Sequence, residues 1–479
     1  MIEQCSLLNN VVCVMAKNVG IGRKGSVVDL GQHGRFTTHA LTMRGNYLRD
    51  GYKNQYRYAN GSDGNNKMQN NYNNRRNFYQ KKNPNKDRDK GITFCPHYTL
   101  RGLCRFSDDC KNLHNLKLVD TFSLQRSYID CAIIVHGPNN EIYLFTSISP
   151  YTINVWIFVP GEGSKELDIK HLKKIEFELT PEEEEYGDDK VKGNKKMKKR
   201  KKRVLSLLYA EECIFAGLDN GLIKIMHLPS SDSSTLYAHT DSIYSIVCID
   251  GIIISSSING EVKFWKYQES YLSFVTIKKI ETKTKIFKMI EIISSKCASG
   301  NVNSNGNVEE NKFNRTLWVC GDNITIISLL NLEIVNVVRC KYGSVVSVMQ
   351  YEANVITAMS EGKILAFSLR GDNHFEMNTL PIFCMAGLTN HKNVPILIYG
   401  SSKALYTFSL PEFNPYGYLK DRESMTLKFN INDPDFILPL SGPYFIVLFS
   451  NGTDFGHTAL GEEGSIRLMR AMQQCGAAH

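Results

Sequence analysis

Three cysteines and one histidine lie close together near residue 100: Cys95, Cys104, Cys110 and His114, with the spacing C-x8-C-x5-C-x3-H. Three thiolates and one neutral imidazole suit a closed, tetrahedral, structural Zn²⁺ site that keeps no open position for catalysis. About twenty residues cannot bury a core of their own, so the metal must supply the folding energy, as it does in small zinc-binding peptides. The sequence therefore predicts one structural zinc ion held by these four residues.

Aromatic and basic side chains are interleaved with the predicted ligands. Single-stranded RNA offers base faces on which such rings stack for about 1–3 kcal/mol per base, while Arg and Lys meet the phosphates. We expect RNA contacts from Phe94, Tyr98, Arg101, Arg105, Phe106 and Lys111. The alternative for Phe94 and Phe106 is that their rings pack against the metal and shield it. His97 is interpreted as a surface residue rather than a ligand.

The ligand spacing and the residues between the ligands resemble the CCCH zinc-finger family. Tyr98 and Phe106 stand where fingers of that family carry rings that stack on single-stranded RNA, and Gly102 and Arg105 also match. Asn112 stands where the family usually has another aromatic residue. The resemblance implies metal binding and RNA binding.

The chain behind this cluster has an all-β pattern. From about residue 119, short runs of Ile, Val, Leu, Phe and Tyr alternate with turn residues, which is typical of strands. One pattern recurs, and its copies end at Trp156, Met226, Trp265, Ile327, Phe367 and Phe408. Three of the five steps between copies are 39, 40 and 41 residues, close to the period of a four-stranded propeller blade. The two longer steps contain charged or polar insertions, at 163–203 and 296–315.

One copy, residues 237–267, resembles a WD repeat. His239 and Trp265 stand where that repeat has its His and Trp, Asn259 replaces the usual Asp, and Lys266 replaces the Asp after Trp. The resemblance implies a degenerate propeller of seven blades, with the hydrogen-bonded network of this copy weakened or rewired. The last copy has no obvious outer strand, and residues 117–124 could supply it and close the ring.

The net charge of +9 is concentrated before the cysteine cluster. Residues 43–90 contain twelve Lys or Arg against four Asp, together with many Asn and Tyr and almost no aliphatic residues. Such a segment cannot bury enough apolar surface to fold, so we expect residues 1–90 to be mostly disordered. The tract is interpreted either as a non-specific RNA-binding arm or as a product of AT-rich codon bias.

A second charged run lies inside the repeats, at residues 181–203, where six acidic residues precede ten basic ones. We interpret it as a solvated loop outside the blades. Its basic half, KKMKKRKKR, is typical of a nuclear localisation signal or a nucleic-acid patch, and the alternative is a merely soluble insertion. The predicted location is the nucleus, with the cytoplasm as a second location.

The order of the two modules resembles the ZFWD class, a CCCH zinc finger followed by WD repeats, over about residues 92–460. No run of 18 apolar residues and no secretory signal is found, so we expect an intracellular protein whose 13 cysteines are reduced thiols or metal ligands. The predicted domains are a disordered basic region at 1–90, the finger at 91–117, the propeller at 118–465 with its two insertions, and a flexible tail at 466–479.

The residues favour a non-catalytic adaptor that binds RNA through the finger and protein partners through the propeller. No catalytic motif is found, so we expect no enzyme activity, no small-molecule substrate and no membrane contact. The alternative is a protein-interaction scaffold in which the finger does not touch RNA.

Overall fold

A computed structural model describes a large part of the chain. The described residues are 36–37, 93–106, 109–124, 129–137, 141–160, 167–186, 202–271, 273–294, 314–390, 393–402, 404–420, 422–424, 427–429, 436–440, 444–449 and 464–471. Most of the predicted disordered region, most of the insertion at 296–315 and the end of the chain after residue 471 lie outside them; of residues 1–90, the structure describes 36–37. All nine cysteines among the described residues are free thiols.

Short strands dominate the described chain, because β-branched and aromatic residues alternate with turns over most of its length. Two short helices, a 3₁₀ turn at Glu269–Tyr271 and thirty-one strands are formed. The elements are β1 Phe36–Thr37, α1 Pro96–Arg101, β2 Leu116–Leu124, β3 Ile129–His136, β4 Ile142–Ile148, β5 Thr152–Pro160, β6 Leu167–Glu176, α2 Pro181–Glu185, β7 Val204–Ala210, β8 Cys213–Leu218, β9 Leu222–His227, β10 Ser233–Tyr237, β11 Ile243–Ile249, β12 Ile252–Ser257, β13 Glu261–Gln268, β14 Ser273–Glu281, β15 Ile286–Ile293, β16 Arg315–Gly321, β17 Asn323–Ser328, β18 Glu333–Arg339, β19 Val345–Tyr351, β20 Asn354–Met359, β21 Lys363–Ser368, β22 Asn373–Asn378, β23 Ile382–Thr389, β24 Pro395–Ser401, β25 Ala404–Ser409, β26 Asn414–Lys420, β27 Arg422–Ser424, β28 Leu427–Phe429, β29 Phe436–Pro439, β30 Tyr444–Phe449 and β31 Gly464–Ala471.

The strands form a β-propeller. Six antiparallel sheets have four strands each: β3–β6, β7–β10, β11–β14, β15–β18, β23–β26 and β29-β30-β31-β2. A further sheet, β19–β22, has a fifth strand because β1 pairs with β19. The first strands of the sheets contact one another in chain order, and β29 contacts β3, so the ring closes. The ring thus contains seven sheets: six have the predicted four-stranded form, and in the seventh the strands β19–β22 carry β1 as a fifth strand.

The repeat alignment made from the sequence corresponds to one position in the sheets. All six aligned residues lie on the third strand of a sheet, namely β5, β9, β13, β17, β21 and β25. In five of these sheets the pairing with the outer strand shifts register at the aligned residue: Trp156, Trp265, Ile327, Phe367 and Phe408. The recurring large apolar residue therefore marks a bulge at the outer part of these blades.

The closing strand comes from the N-terminal side of the propeller, as the sequence predicts. Strand β2 pairs antiparallel with β31, from Leu116 opposite Ala471 to Leu124 opposite Gly464. This pairing makes β2 the outermost strand of the last sheet. The sheet also extends to Ala471, beyond residue 465, where the sequence prediction ended the propeller.

Residues 167–186 of the insertion at 163–203 are described by the structure, and they form a strand and a short helix. Strand β6 completes its sheet, and Thr180 and Glu183 form a capping box at the start of α2. Glu183 is buried, and both of its carboxylate oxygens accept hydrogen bonds of 2.9 Å from Lys224 Nζ on β9. The prediction of a solvated loop is therefore wrong for residues 181–186, because a buried ion pair fixes them to the next sheet. Residues 187–201 lie outside the described residues.

The predicted rewiring of the WD-type network occurs on the sheet β11–β14. The ring of His239 is buried; its Nδ1 donates to Glu261 Oε2 at 2.6 Å, and its Nε2 accepts from Ser255 Oγ at 2.8 Å. Ser255 Oγ in turn accepts from Trp265 Nε1 at 2.8 Å. Asn259, which stands at the usual Asp position, accepts from the backbone N–H of Glu261 instead. The carboxylate of the network is therefore supplied two residues further along the chain.

The negative charge of this network lies on the carboxylate of Glu261, which contacts both His239 and Lys279. The hydrogen bond from His239 and that from Lys279, 2.7 Å from Oε1, together lower the pKa of Glu261 to about 2 against the opposing effect of burial. Because the pKa is lower in the folded state than the ordinary value of 4.5, the carboxylate stabilises the fold above pH 4.5. That contribution is lost as the pH falls from 4.5 to about 2.

Replacing Glu261 by Ala should lower the free energy of unfolding at pH 7 by about 1.5–3 kcal/mol, because a charged hydrogen bond to buried His239 is lost. Urea unfolding at several pH values measures the effect, which should shrink as the pH falls towards 2. Glu281→Ala is the matched control: Glu281 is exposed and pairs with the same Lys279, so its loss should cost less than about 1 kcal/mol. Equal effects of the two substitutions would contradict the network.

Candidate metal centre

The structure brings the four predicted ligands together. One donor atom from each of Cys95, Cys104, Cys110 and His114 lies within 4.8 Å of the other three. A tetrahedral zinc site with Zn–S bonds of about 2.3 Å requires donors in such a compact group. Among the described residues this is the one group of three or more His, Cys, Asp or Glu side chains that could hold a metal ion. The cluster can hold a metal ion and is consistent with zinc.

Helix α1 fixes the first ligand. Cys95 is its N-cap, and its Sγ accepts from the backbone N–H of Tyr98 at 3.5 Å. Pro96 suits the first turn because its missing N–H would have no partner there. Gly102 ends the helix in the left-handed conformation, with φ of 67°, and its N–H donates to Tyr98 O. The helix thus turns the chain sharply between the first and second ligands.

Backbone pairing places the last ligand beside the first. The N–H of Cys95 donates to Leu113 O and the N–H of Leu113 donates to Thr93 O, both at 2.8 Å. Thr93 Oγ1 also donates to Asn112 Oδ1. These bonds hold the two ends of the segment side by side, so Cys95 and His114 lie on the same side of the cluster.

The thiols of the cluster need a cation to become thiolates together. Burial, together with the nearby Cys104 and Cys110 thiols, raises the pKa of Cys95 to about 11, while the Tyr98 N–H opposes the shift. A thiol in this environment keeps its proton at neutral pH unless a positive charge compensates the thiolate. A bound Zn²⁺ supplies that charge, so the donor set fits the predicted ion.

The six predicted RNA-contact residues occupy different environments. Phe94 is 2% exposed and lies in a hydrophobic cluster with residues of the propeller. Tyr98 is partly buried and stacks on His114, with ring centroids 4.4 Å apart and planes 11° apart. Phe106 is 51% exposed, and the guanidinium of Arg105 lies 4.6 Å from its centroid. Phe94 therefore packs and offers no face to a base.

The predicted cations are accessible. Arg101, Arg105 and Lys111 are all exposed, and so is His97, which fits its interpretation as a surface residue. Sequence reasoning missed the Tyr98–His114 stack and the attachment of Phe94 to the propeller. The spacing of Tyr98 and His114 carries no signal for the stack, because their proximity depends on the turn made by α1.

No protein-family model matches the chain, and no curated protein matches it. The CCCH type of the cluster and the ZFWD resemblance therefore stay predictions from the residues. No helix among the described residues is long and apolar enough to cross a membrane.

Full-length protein should bind one equivalent of Co²⁺ with the absorption spectrum of a tetrahedral sulfur-rich site, and Zn²⁺ should displace it. Cys110→Ser should abolish that spectrum. Cys213→Ser is the matched control, because Cys213 lies on β8 outside the cluster. An unchanged spectrum in Cys110→Ser would refute the ligand assignment.

The affinity for the metal should also fall steeply as the pH is lowered. Each cysteine thiol must lose its proton before its sulfur can bind the metal. Acidification below pH 7 should therefore weaken metal binding by about tenfold or more per pH unit. Competition of Zn²⁺ against a chelator at pH 6, 7 and 8 measures this slope. A pH-independent affinity would mean that thiolates are not the ligands.

Proposed function

We propose that this protein is a non-catalytic adaptor. Its β-propeller binds protein partners, and its metal-binding segment, residues 93–114, contacts single-stranded RNA. The proposal is carried by one observation: an exposed ring and three exposed cations lie on a short segment ordered around a candidate metal site. A nuclear location stays part of the proposal and rests on the basic run at 195–203.

The propeller supports the protein-binding half of the proposal. Propellers are rigid rings whose faces and loops are free for partners, although the fold alone does not name one. The outer strand β18 of the sheet β15–β18 and the turn before it also expose Leu330, Ile334 and Val337 to solvent. An outermost strand with apolar side chains and unpaired backbone groups can take up an extended segment of another protein.

The RNA-binding half rests on a small surface. With Phe94 buried and one face of Tyr98 covered by His114, Phe106 is the main ring open to a base. The exposed Arg101, Arg105 and Lys111 lie close to Phe106 in the sequence, on both sides of it, and can contact phosphates. We therefore expect contact with one or two bases and modest affinity.

A second candidate function is supported by Leu103. This side chain is 78% exposed, three residues from Phe106, which is 51% exposed. Two apolar side chains exposed so close together also suit a protein partner. In that case the segment is a protein-docking surface on a scaffold that does not bind RNA.

Phe106→Ala should weaken binding of a fluorescent single-stranded oligoribonucleotide about fivefold or more, because a stacking contact is lost. The Co²⁺ spectrum should be unchanged, because Phe106 is not a ligand. Tyr267→Ala is the matched control, since Tyr267 is similarly exposed but lies on β13. Fluorescence anisotropy measures all three proteins.

Joint replacement of Arg101, Arg105 and Lys111 by Ala should lower the salt dependence of RNA binding by about two counterions. The matched control removes three exposed lysines of the propeller: Lys266, Lys278 and Lys283. RNA binding that is unaffected by both the Phe106 and the cation substitutions would favour the scaffold.

A further inference from the structure

The metal-binding segment is joined to the propeller through its backbone. Thr93 pairs in parallel with Tyr418, and the N–H of Phe94 donates to Tyr418 O at 2.9 Å. Tyr418 lies on β26, the outermost strand of the sheet β23–β26. The segment therefore extends that sheet by a short additional edge.

The ring of Phe94 fills a site on the same sheet. A Cβ atom at Gly417 on β26 would lie only 2.6 Å from Phe94 Cζ, so the ring packs directly on the glycine backbone. Phe94 belongs to a hydrophobic cluster that also includes Leu405 and Leu419 of this sheet. Leu100 and Leu113 of the metal-binding segment pack against the same cluster.

The cluster extends into the last sheet of the ring. It contains Ile437, Phe445 and Val447 from β29 and β30, Met469 from β31 and Leu116 from β2. One core is thus shared by the metal-binding segment and by two neighbouring sheets. These two sheets are neighbours in the ring, and the second of them contains the closing strand β2.

The last ligand is adjacent to the closing strand. His114 is followed by the buried Asn115 and then by Leu116, the first residue of β2. Helix α1 also contacts β2. His114 therefore lies two residues before the strand that covers the outer edge of β31.

We infer that the metal site has a further function, which is to hold the propeller ring closed. When the four ligands bind the ion, Phe94 is held against β26 and the start of β2 is held beside β31. The site thereby links the two outermost strands of neighbouring sheets. This inference rests on metal binding by the four residues and does not depend on RNA.

The linkage has a thermodynamic consequence. An ion that binds the folded segment but not the unfolded chain stabilises every element that unfolds together with that segment. If Phe94 and β2 unfold with it, the ion stabilises the whole ring. If the segment is an independent module, the ion stabilises only the segment.

Tryptophan fluorescence separates these cases. Trp156, Trp265 and Trp318 lie on β5, β13 and β16, far along the chain from the metal-binding segment and outside the two linked sheets. In full-length protein, one equivalent of Zn²⁺ should raise the midpoint of thermal unfolding seen by these residues by about 5 °C or more relative to a chelator. An identical midpoint with and without the ion would overturn the inference.

Phe94→Ala tests the link itself. The variant keeps all four ligands, so it should still give the Co²⁺ spectrum, but the zinc-induced shift in the tryptophan midpoint should fall by more than half. Phe106→Ala is the matched control, because this exposed ring is outside the shared cluster, and it should keep the full shift. A full shift in Phe94→Ala would overturn the inference.

A second measurement needs no variant. Backbone amide exchange in the full-length wild-type protein should become at least tenfold faster in β2 and β31 when zinc is removed. Equal protection of β2 with and without zinc would overturn the inference. Neither the fluorescence measurement nor the exchange measurement includes RNA. Their results therefore do not depend on whether the protein binds RNA.

Discussion

The structure depends on the closure of its ring, which is made by one pairing between distant parts of the chain. Strand β2 lies before the first complete sheet in sequence, yet it forms the outer edge of the last sheet by pairing with β31. A propeller that is not closed leaves sheet edges and apolar faces open to water. The contact of β29 with β3 on the inside and the β2–β31 pairing on the outside together remove that exposure.

The metal-binding segment solves a different problem, that of folding about twenty residues without a core. Its ligands are close together because α1 turns the chain after Cys95 and because Leu113 pairs with both Thr93 and Cys95. The buried thiol of Cys95 does not ionise readily, and a cation bound by the cluster would compensate its thiolate. The same segment borrows apolar contacts from the propeller through Phe94. The group of Cys and His side chains and the hydrophobic core of the propeller are therefore connected by packing through Phe94.

The sequence predicted those features that follow from periodicity and from ligand type. The recurrence of Trp156, Trp265 and Phe408 located strands that are the third strands of their sheets in the structure. The recurrence arises because one large residue stands at the outer bulge of these sheets. The four ligands were found because Cys and His at close spacing have few other roles in a chain of this kind. The closing strand was found because the last copy lacked an outer one.

Other features depend on tertiary contacts that leave no periodic signal. Glu183 looked like part of a solvated acidic run, but it is buried in an ion pair with Lys224, which lies 41 residues further along the chain. Phe94 looked like an RNA contact, and only the glycine backbone at Gly417 reveals the site that its ring fills. Glu261, and not the residue at 259, supplies the carboxylate that accepts from His239, while Asn259 accepts from the N–H of Glu261.

X-ray absorption at the zinc edge of the full-length protein, purified without added metal, determines whether the four side chains bind zinc. We expect about one zinc per chain, with three sulfur neighbours at about 2.3 Å and one nitrogen at about 2.0–2.1 Å. Zinc absent from the purified protein, or bound mainly by oxygen and nitrogen, would contradict this expectation.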